Sequence, residues 1–254
     1  MPEGDTIWRT AESLRSALEG KRISDARPDA LRRFAGRTVT EVKPVGKHLL
    51  IRFDNGLAIH SHMRMRGAWH VYRRGERWRR PAWQMKALLE TEDVVAVCFA
   101  APVVDLVRDE DTRVGHLGPD ILGDAWPASE VVARARKRGD APIGEVMLDQ
   151  RVTAGIGNVY RCESLWQQRI SPWKPTSELS DQELAGLFEA ARAALTANLS
   201  GGAGRRFPGY GRGAVHGRGG RPCPRCGTRI QVRAQGEQAR LVFWCPACQA
   251  GDRR

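Results

Sequence analysis

The sequence predicts an α+β protein in three parts: an N-terminal helix with an antiparallel β-sandwich over residues 1–125, a helical domain over 126–212, and a C-terminal four-cysteine zinc β-hairpin over 213–254. Three observations carry this. Between 37 and 108 apolar residues fall into many short runs with strand-like alternation. From Pro127 the spacing becomes helical. Near the end stand two Cys-x-x-Cys pairs, Cys223/Cys226 and Cys245/Cys248, with 18 residues between them.

The elements follow in order. Ile7, Ala11, Leu14 and Leu18 form one apolar stripe, so a helix is expected over 6–19, with Asp5 or Thr6 as its cap. Strands are expected around Val39 and Val42, then at 49–53, 57–60, 68–72, 85–91, 94–99 and 103–107. Asn55-Gly56 between two apolar runs is a hairpin signal. This many short strands imply a sandwich, with Arg73–Arg80 as an exposed loop. Helical composition then occupies 129–137, 142–150, 158–168 and 180–198, and Ser180 followed by Glu183 is a capping-box start. Residues 200–222 are rich in Gly and Arg and read as a loop or linker. The stretch 228–244 reads as a hairpin with Ile230, Val232, Leu241 and Phe243 alternating.

Composition narrows the function. A chain of 254 residues, 41% apolar, can bury a real core and is not a disordered tail. No apolar run approaches the roughly 20 residues of a membrane span, and no basic-then-apolar signal region follows Met1. The expectation is a soluble, cytoplasmic, nucleoid-associated monomer. The formal charge is +12, which points to a polyanionic partner, above all nucleic acid. Arg205–Arg254 holds 11 arginines against Glu237 and Asp252. A second basic stretch has Arg64, Arg66, Arg73, Arg74, Arg77, Arg79, Arg80 and Lys86 against Glu76. Arginine suits bidentate phosphate contacts.

Several residues point to chemistry. If Met1 is removed, Pro2 presents a secondary amine able to attack an electrophilic sugar carbon and form a cationic imine. Glu3 beside it can move a proton. The following helix N-terminus lowers the pKa of such an amine while Glu3 opposes the shift. The four cysteines have the spacing of a structural zinc site with a filled tetrahedral shell; two disulfides are the alternative, disfavoured by the lack of a secretion signal. Arg225, Arg229, Arg233 and Arg240 on this hairpin are candidate phosphate contacts, and Arg218 is a DNA-binding candidate just before it. Gly155-Ile-Gly-Asn158 between helical segments allows close approach to a phosphate, as would a bland packing turn. Lys47 follows Gly46 at a strand start. In His60-Ser-His-Met-Arg-Met-Arg-Gly67, Met63 and Met65 are either a buried strand face or a wedge for a base stack, with Arg64 and Arg66 holding the strand.

Six motifs in order carry a resemblance: Met1-Pro-Glu-Gly-Asp, Gly46-Lys47, His62–Gly67, Gly115-His-Leu-Gly-Pro-Asp120, Gly155-Ile-Gly-Asn158 and the four-cysteine hairpin. The chain resembles the formamidopyrimidine-DNA glycosylase/endonuclease VIII family along nearly its whole length. The opening Pro-Glu-Gly is similar to the endonuclease VIII branch. Where the 8-oxoguanine branch has Asp-x-Arg-Arg-Phe, this chain has Ala101-Pro-Val-Val-Asp-Leu106. The resemblance implies a helix–two-turn–helix domain and a bifunctional glycosylase and abasic-site lyase acting on oxidised bases, pyrimidines favoured, in damaged double-stranded DNA. It implies Pro2 as nucleophile, Glu3 as acid at the sugar ring oxygen, Lys47 in β-elimination and Arg240 in phosphate grip and δ-elimination. It further implies Asn158 on phosphate, Met65 filling the gap of the flipped base, and one structural Zn2+. Arg64 and Arg66 depart from the family's usual residues there, which bears on opposite-base preference. The alternatives are an oxidised-purine glycosylase or a non-catalytic zinc-ribbon DNA-binding protein.

Overall fold

The apolar stripe expected near the start forms α1 (Gly4–Leu18), in which Ile7, Ala11, Leu14 and Leu18 are all buried. The computed structural model describes residues 2–108, 111–200, 205–207 and 211–250. They fall into two compact units, 1–116 and 117–254. The helix begins two residues before the expected start, and its cap differs. Glu3 is the N-cap, without a side-chain cap bond, and its carbonyl accepts from the Thr6 and Ile7 amides at 2.9 and 3.1 Å. Asp5 lies within the first turn and is fully buried.

The first unit continues with β1 (Asp25–Arg27), β2 (Val39–Val45), β3 (His48–Phe53), β4 (Ala58–His62), β5 (Ala68–Arg73), β6 (Met85–Glu90), β7 (Val94–Phe99) and β8 (Val103–Val107). They form two antiparallel four-stranded sheets, ordered β1-β6-β7-β5 and β2-β3-β4-β8. Only β1 went unread in the sequence, because three residues are too few to show a period. One core gathers α1 with Val42, Leu49, Ile51 and Ile59 of one sheet and Ala87, Leu89, Ala96 and Cys98 of the other. The period of two explains the sorting. In β6 and β7 the alternate residues Leu88, Val95, Val97 and Phe99 face outward, where Tyr72 and Trp78 cover them. The β3–β4 turn is the expected Asp-Asn-Gly hairpin, with Gly56 at φ +73° and the Phe53 amide bonded to the Leu57 carbonyl at 2.9 Å. A short helix, α2 (Asp111–Val114), follows the sheets.

The second unit contains α3 (Ala128–Arg136), α4 (Ile143–Val146), α5 (Asn158–Gln167), α6 (Asp181–Thr196) and the antiparallel hairpin β9 (Gln231–Gln235) and β10 (Arg240–Trp244). The capping box is formed: Ser180 Oγ accepts from the Glu183 amide, and the Glu183 carboxylate accepts from the Ser180 amide. The expected helix over 142–150 shrinks to four residues. Past Val146 the backbone tightens, with the Leu148 amide on the Glu145 carbonyl at 2.9 Å and the Asp149 amide on the Val146 carbonyl at 3.1 Å, and Gln150 ties the turn that follows. Its side chain donates to the Leu148 and Ile156 carbonyls at 2.8 and 3.1 Å and accepts from the Gly155 amide at 3.1 Å, which holds the segment as a turn.

The hairpin also corrects the reading. Ile230 is buried, but so is Val242, whereas Val232 and Leu241 are exposed. A two-stranded hairpin has one covered side, and here that side packs on Cys162 and Trp166 of α5. This shared core explains why the hairpin and the helices form one unit. Within the 200–215 loop, residues 201–204 and 208–210 lie outside the described residues.

Candidate active site

Pro2 is half-buried immediately before α1, and Glu3 is fully buried. The amine of a chain beginning at Pro2 would therefore stand at the positive end of a four-turn helix. Pro2 lines an open cavity of about 690 Å³ together with Met65, Arg66, Arg80, Trp83 and Lys86. The two methionines divide. Met63 is 1% exposed, packed in the sandwich core, and Met65 is 60% exposed at the tip of the β4–β5 turn. Arg64 and Arg66 flank it, both exposed. The turn is built tightly. The Gly67 amide bonds the Met63 carbonyl at 2.8 Å, and a Cβ at Gly67 would stand 2.6 Å from that oxygen. Arg64 adopts φ +45°, and its amide donates to His62 Nδ1 at 3.2 Å.

Lys47 lies in the two-residue turn between β2 and β3, where Gly46 takes φ +57°. Next to it is a histidine cluster that the sequence reading passed over. His48 Nδ1 and His60 Nε2 share a hydrogen bond of 2.8 Å, and the His48 ring meets His62 edge-on at 4.7 Å. Burial, then the neighbouring His62 and His60, push His48 down to about 3. Burial, then Arg64 and Lys47, push His62 down to about 4. Burial also lowers His60, against the pull of Asp105. The cluster is neutral at physiological pH and adds no competing charge beside Lys47.

In the second unit the Gly155–Asn158 turn sits at the N-terminus of α5, with Gly155 at φ +109°. Asn158 is half-exposed and already engaged. Its Nδ2 donates to the Leu241 carbonyl at 2.8 Å, and its Oδ1 accepts from the buried Arg161. Arg161 also donates to the Gly144 carbonyl and to Gln235 Oε1, both at 3.3 Å. Glu163 is buried and accepts the amides of Ala214, Val215 and His216 at 2.7, 3.1 and 2.8 Å. Burial raises its pKa against these bonds. Gln150, Arg161 and Glu163 thus set the shape of this region. Scattered polar residues in helical stretches carry no spacing signal, so none stood out in the sequence.

The four hairpin cysteines bring their Sγ atoms within 4.8 Å of one another, with Cys226 3.5 Å from Cys245 and 3.4 Å from Cys248. Tetrahedral Zn–S bonds of about 2.3 Å require edges of about 3.8 Å, so the cluster fits a metal ion. Backbone amides of Arg225 and Cys248 and the Trp166 indole approach the sulfurs at 3.5, 3.4 and 3.4 Å, as thiolates need. No cysteine is disulfide-bonded. Cys98 and Cys162, pushed up by burial to about 12 and 11, are inert thiols. The hairpin arginines are not all turned outward. Arg225 stacks over Trp166 at 3.9 Å, Arg233 lies over Trp173 at 5.1 Å, and Arg229 bonds the Gly220 carbonyl. Arg218 donates to the Pro222 carbonyl at 3.0 Å. Arg240 is exposed beside Gln238 at the start of β10.

The chain is similar to known proteins along nearly its whole length. The model of the formamidopyrimidine-DNA glycosylase N-terminal domain matches residues 1–102, and that of the formamidopyrimidine-DNA glycosylase H2TH domain matches 117–208. The probable endonuclease 8 2 of Streptomyces coelicolor is 44% identical, covering 99% of this chain and 95% of the relative. The DNA-(apurinic or apyrimidinic site) lyase Nei2 of Mycolicibacterium smegmatis is 38% identical over 99% of this chain and 100% of its own. The crystal structure of the MutM (Fpg) protein of Thermus thermophilus superimposes with a TM-score of 0.79 at 27% identity, covering 99% and 100% of the two chains. The chain belongs to the formamidopyrimidine-DNA glycosylase family, and the names of these two sequence relatives fall on its endonuclease 8 side.

Proposed function

We propose that this protein is a bifunctional DNA glycosylase and abasic-site lyase of base-excision repair, favouring oxidised pyrimidines. The observation that carries the reading is Pro2 beside buried Glu3 at a helix N-terminus, in one cavity with the exposed Met65. Damaged double-stranded DNA is the substrate, and Met65 enters its base stack as the lesion swings out. Extruding a damaged base costs less than extruding a paired one, which supplies part of the selectivity. The Pro2 nitrogen attacks C1′, and the C1′–base bond breaks with its electron pair going to the base. The base takes up the proton shed by the Pro2 ammonium, and Glu3 protonates the sugar ring oxygen as the nitrogen lone pair opens the ring to the cationic imine. The imine acidifies the C2′ hydrogen, and Lys47 assists β-elimination. Neutral His48 and His62 leave that lysine's charge uncontested by further cations. Arg240 grips phosphate and assists δ-elimination. Asn158 keeps its Leu241 bond and binds a phosphate in exchange for the 3.5 Å contact of its amide with His216 Nε2, and Arg218, Arg64 and Arg66 add positive charge.

The division of labour follows 1–125 for chemistry, 126–212 for helix–two-turn–helix binding and 213–254 for the zinc hairpin. Cys223, Cys226, Cys245 and Cys248 hold one Zn2+ whose contribution is structural, since four thiolates leave no position for substrate. A +12 monomer in the cytoplasm, at the nucleoid, suits this work; no helix among the described residues is long and apolar enough to cross a membrane. The pyrimidine preference rests on Pro-Glu-Gly at the start and on Ala101–Leu106 where the other branch has an Arg-Arg-Phe segment.

Borohydride trapping on abasic-site DNA tests the mechanism. The chain beginning at Pro2 traps, Pro2→Gly traps less efficiently, and a chain retaining Met1 does not trap. Glu3→Gln slows base release by about 10²- to 10⁴-fold, the usual weight of a general acid. An adduct formed equally by Pro2→Gly would sink the proline mechanism. A panel of thymine glycol, 5-hydroxyuracil and 8-oxoguanine duplexes decides the substrate, and preference for 8-oxoguanine opposite cytosine would overturn the pyrimidine assignment.

A further inference from the structure

Trp83 is the most exposed large apolar side chain among the described residues, at 80%. Its neighbour in sequence, Trp78, shows that the fold can bury an indole here: Trp78 packs on Tyr72 and Phe99 over the outer sheet face. Trp83 is instead held out. It sits in a 3-10 turn, Ala82–Gln84, started by Pro81 and closed by the Gln84 amide on the Pro81 carbonyl at 3.0 Å. The turn is pinned to the sheet by the Ala100 amide on the Gln84 carbonyl at 2.7 Å. A rigid turn presenting an uncovered ring loses little entropy when that ring takes a partner.

The surroundings choose the partner. Trp83 lines the same cavity as Pro2 and Met65, and the cations there are Arg66, Arg80 and Lys86, with no acidic side chain in the lining. Arg80 also donates to the Arg66 carbonyl at 2.9 Å, tying the Trp83 segment to the Met65 turn. An aromatic face among cations at a cavity rim matches single-stranded nucleic-acid recognition, in which the cations follow the backbone and the ring stacks on a base. An apolar protein surface would not select three uncompensated cations.

We propose that Trp83 is a stacking platform for a nucleobase left without its neighbours at the lesion. The proposal rests on the glycosylase reading above. Two bases qualify chemically, the extruded damaged base and the unpaired base opposite it.

The test measures DNA affinity by fluorescence anisotropy for wild type, Trp83→Ala and Trp83→Phe, each in a Glu3→Gln background that keeps a lesion intact. The duplexes carry 5-hydroxyuracil opposite guanine, a tetrahydrofuran abasic analogue opposite guanine, or tetrahydrofuran opposite tetrahydrofuran. Trp83→Ala weakens binding about tenfold where a base is available to stack, and Trp83→Phe retains most of the affinity. A loss on tetrahydrofuran opposite guanine, absent from the doubly abasic duplex, assigns the opposite base. A loss confined to the 5-hydroxyuracil duplex assigns the damaged base. The proposal is overturned if Trp83→Ala binds every duplex as wild type does, if it weakens the doubly abasic duplex equally, or if Trp83→Phe falls as far as Trp83→Ala. Borohydride trapping by the unmutated protein separates the two ideas. No adduct there removes the glycosylase reading, whereas an adduct with unchanged Trp83→Ala affinities removes only the stacking.

Discussion

His48, His60 and His62 are three imidazoles clustered beside a lysine, His60 stacked on His48 and His62 edge-on to it, with their charges suppressed. This has a consequence for stability with a definite sign. The unfolded chain protonates these rings near 6.5, while folded His48 and His62 resist protonation until about 3 and 4. Between those values the unfolded state binds more protons, so stability rises with pH. The contribution is fully present above about 6.5 and is lost as pH falls toward 4 and below. Unfolding free energy measured from pH 7 to 4 should fall, and His48→Gln should flatten that fall. An unchanged slope would show that the ring is protonated in the folded state. None of this was legible in the sequence, where His48, His60 and His62 alternate along two strands. Their meeting depends on the β3–β4 register that sets His48 against His62 and Leu50 against His60. Met65 was half legible: the alternation with Met63 was visible, but only the turn at Arg64–Arg66 separates a core methionine from an exposed one.

At the scale of elements, the motif Gly115-His-Leu-Gly-Pro-Asp120 acquires a reason. The Gly118 amide bonds the Gln150 carbonyl at 2.8 Å, and the Ala154 amide bonds the Pro119 carbonyl at 2.9 Å. This segment therefore lies directly against the turn that leads into Gly155–Asn158. A Cβ at Gly118 would stand 2.4 Å from the Val152 carbonyl oxygen and 2.7 Å from that of Arg151. Both obstacles are backbone, so the strain cannot be relieved by a rotamer. Gly118→Ala should destabilise the second unit by about 1–3 kcal/mol, the range for overpacking, and weaken DNA binding through the displaced α5 N-terminus. Chemical denaturation checks the first effect, and wild-type stability in the variant would show that the loops part easily. The helices and strands themselves were largely legible because their periods are long and regular. The exceptions, β1, α2 and the shortened α4, are elements of three or four residues, too short to show a period.

For the whole molecule, the hairpin is both the most specific sequence signal and a part of the second unit's core. Cys162 and Trp166 of α5 pack with Val215, Ile230 and Val242, and the Trp166 indole reaches Cys223 Sγ. Removing the proposed zinc should therefore disturb more than the hairpin. Metal binding and folding are coupled in such sites, so a chelator that strips the ion should change the near-UV signal of Trp166, Trp173 and Trp244 and abolish DNA binding. The strand signal of the first unit should remain. An unaltered near-UV spectrum after verified metal loss would make the ion dispensable.

The sequence by itself determined the fold class, the element order, the four-cysteine pattern and the family, because each rests on spacing along the chain: periods of two and 3.6, paired cysteines, ordered motifs. Tertiary structure decided what spacing cannot encode. It placed Pro2, Met65 and Trp83 around one cavity and gathered three histidines beside Lys47. It also laid Arg225 and Arg233 over Trp166 and Trp173, bonded Arg229 to the Gly220 carbonyl, and engaged Asn158 with the Leu241 carbonyl. The reason is physical. A side chain's role depends on what packs against it across long sequence separations, and those neighbours are chosen by sheet register and by which face of a hairpin a helix covers.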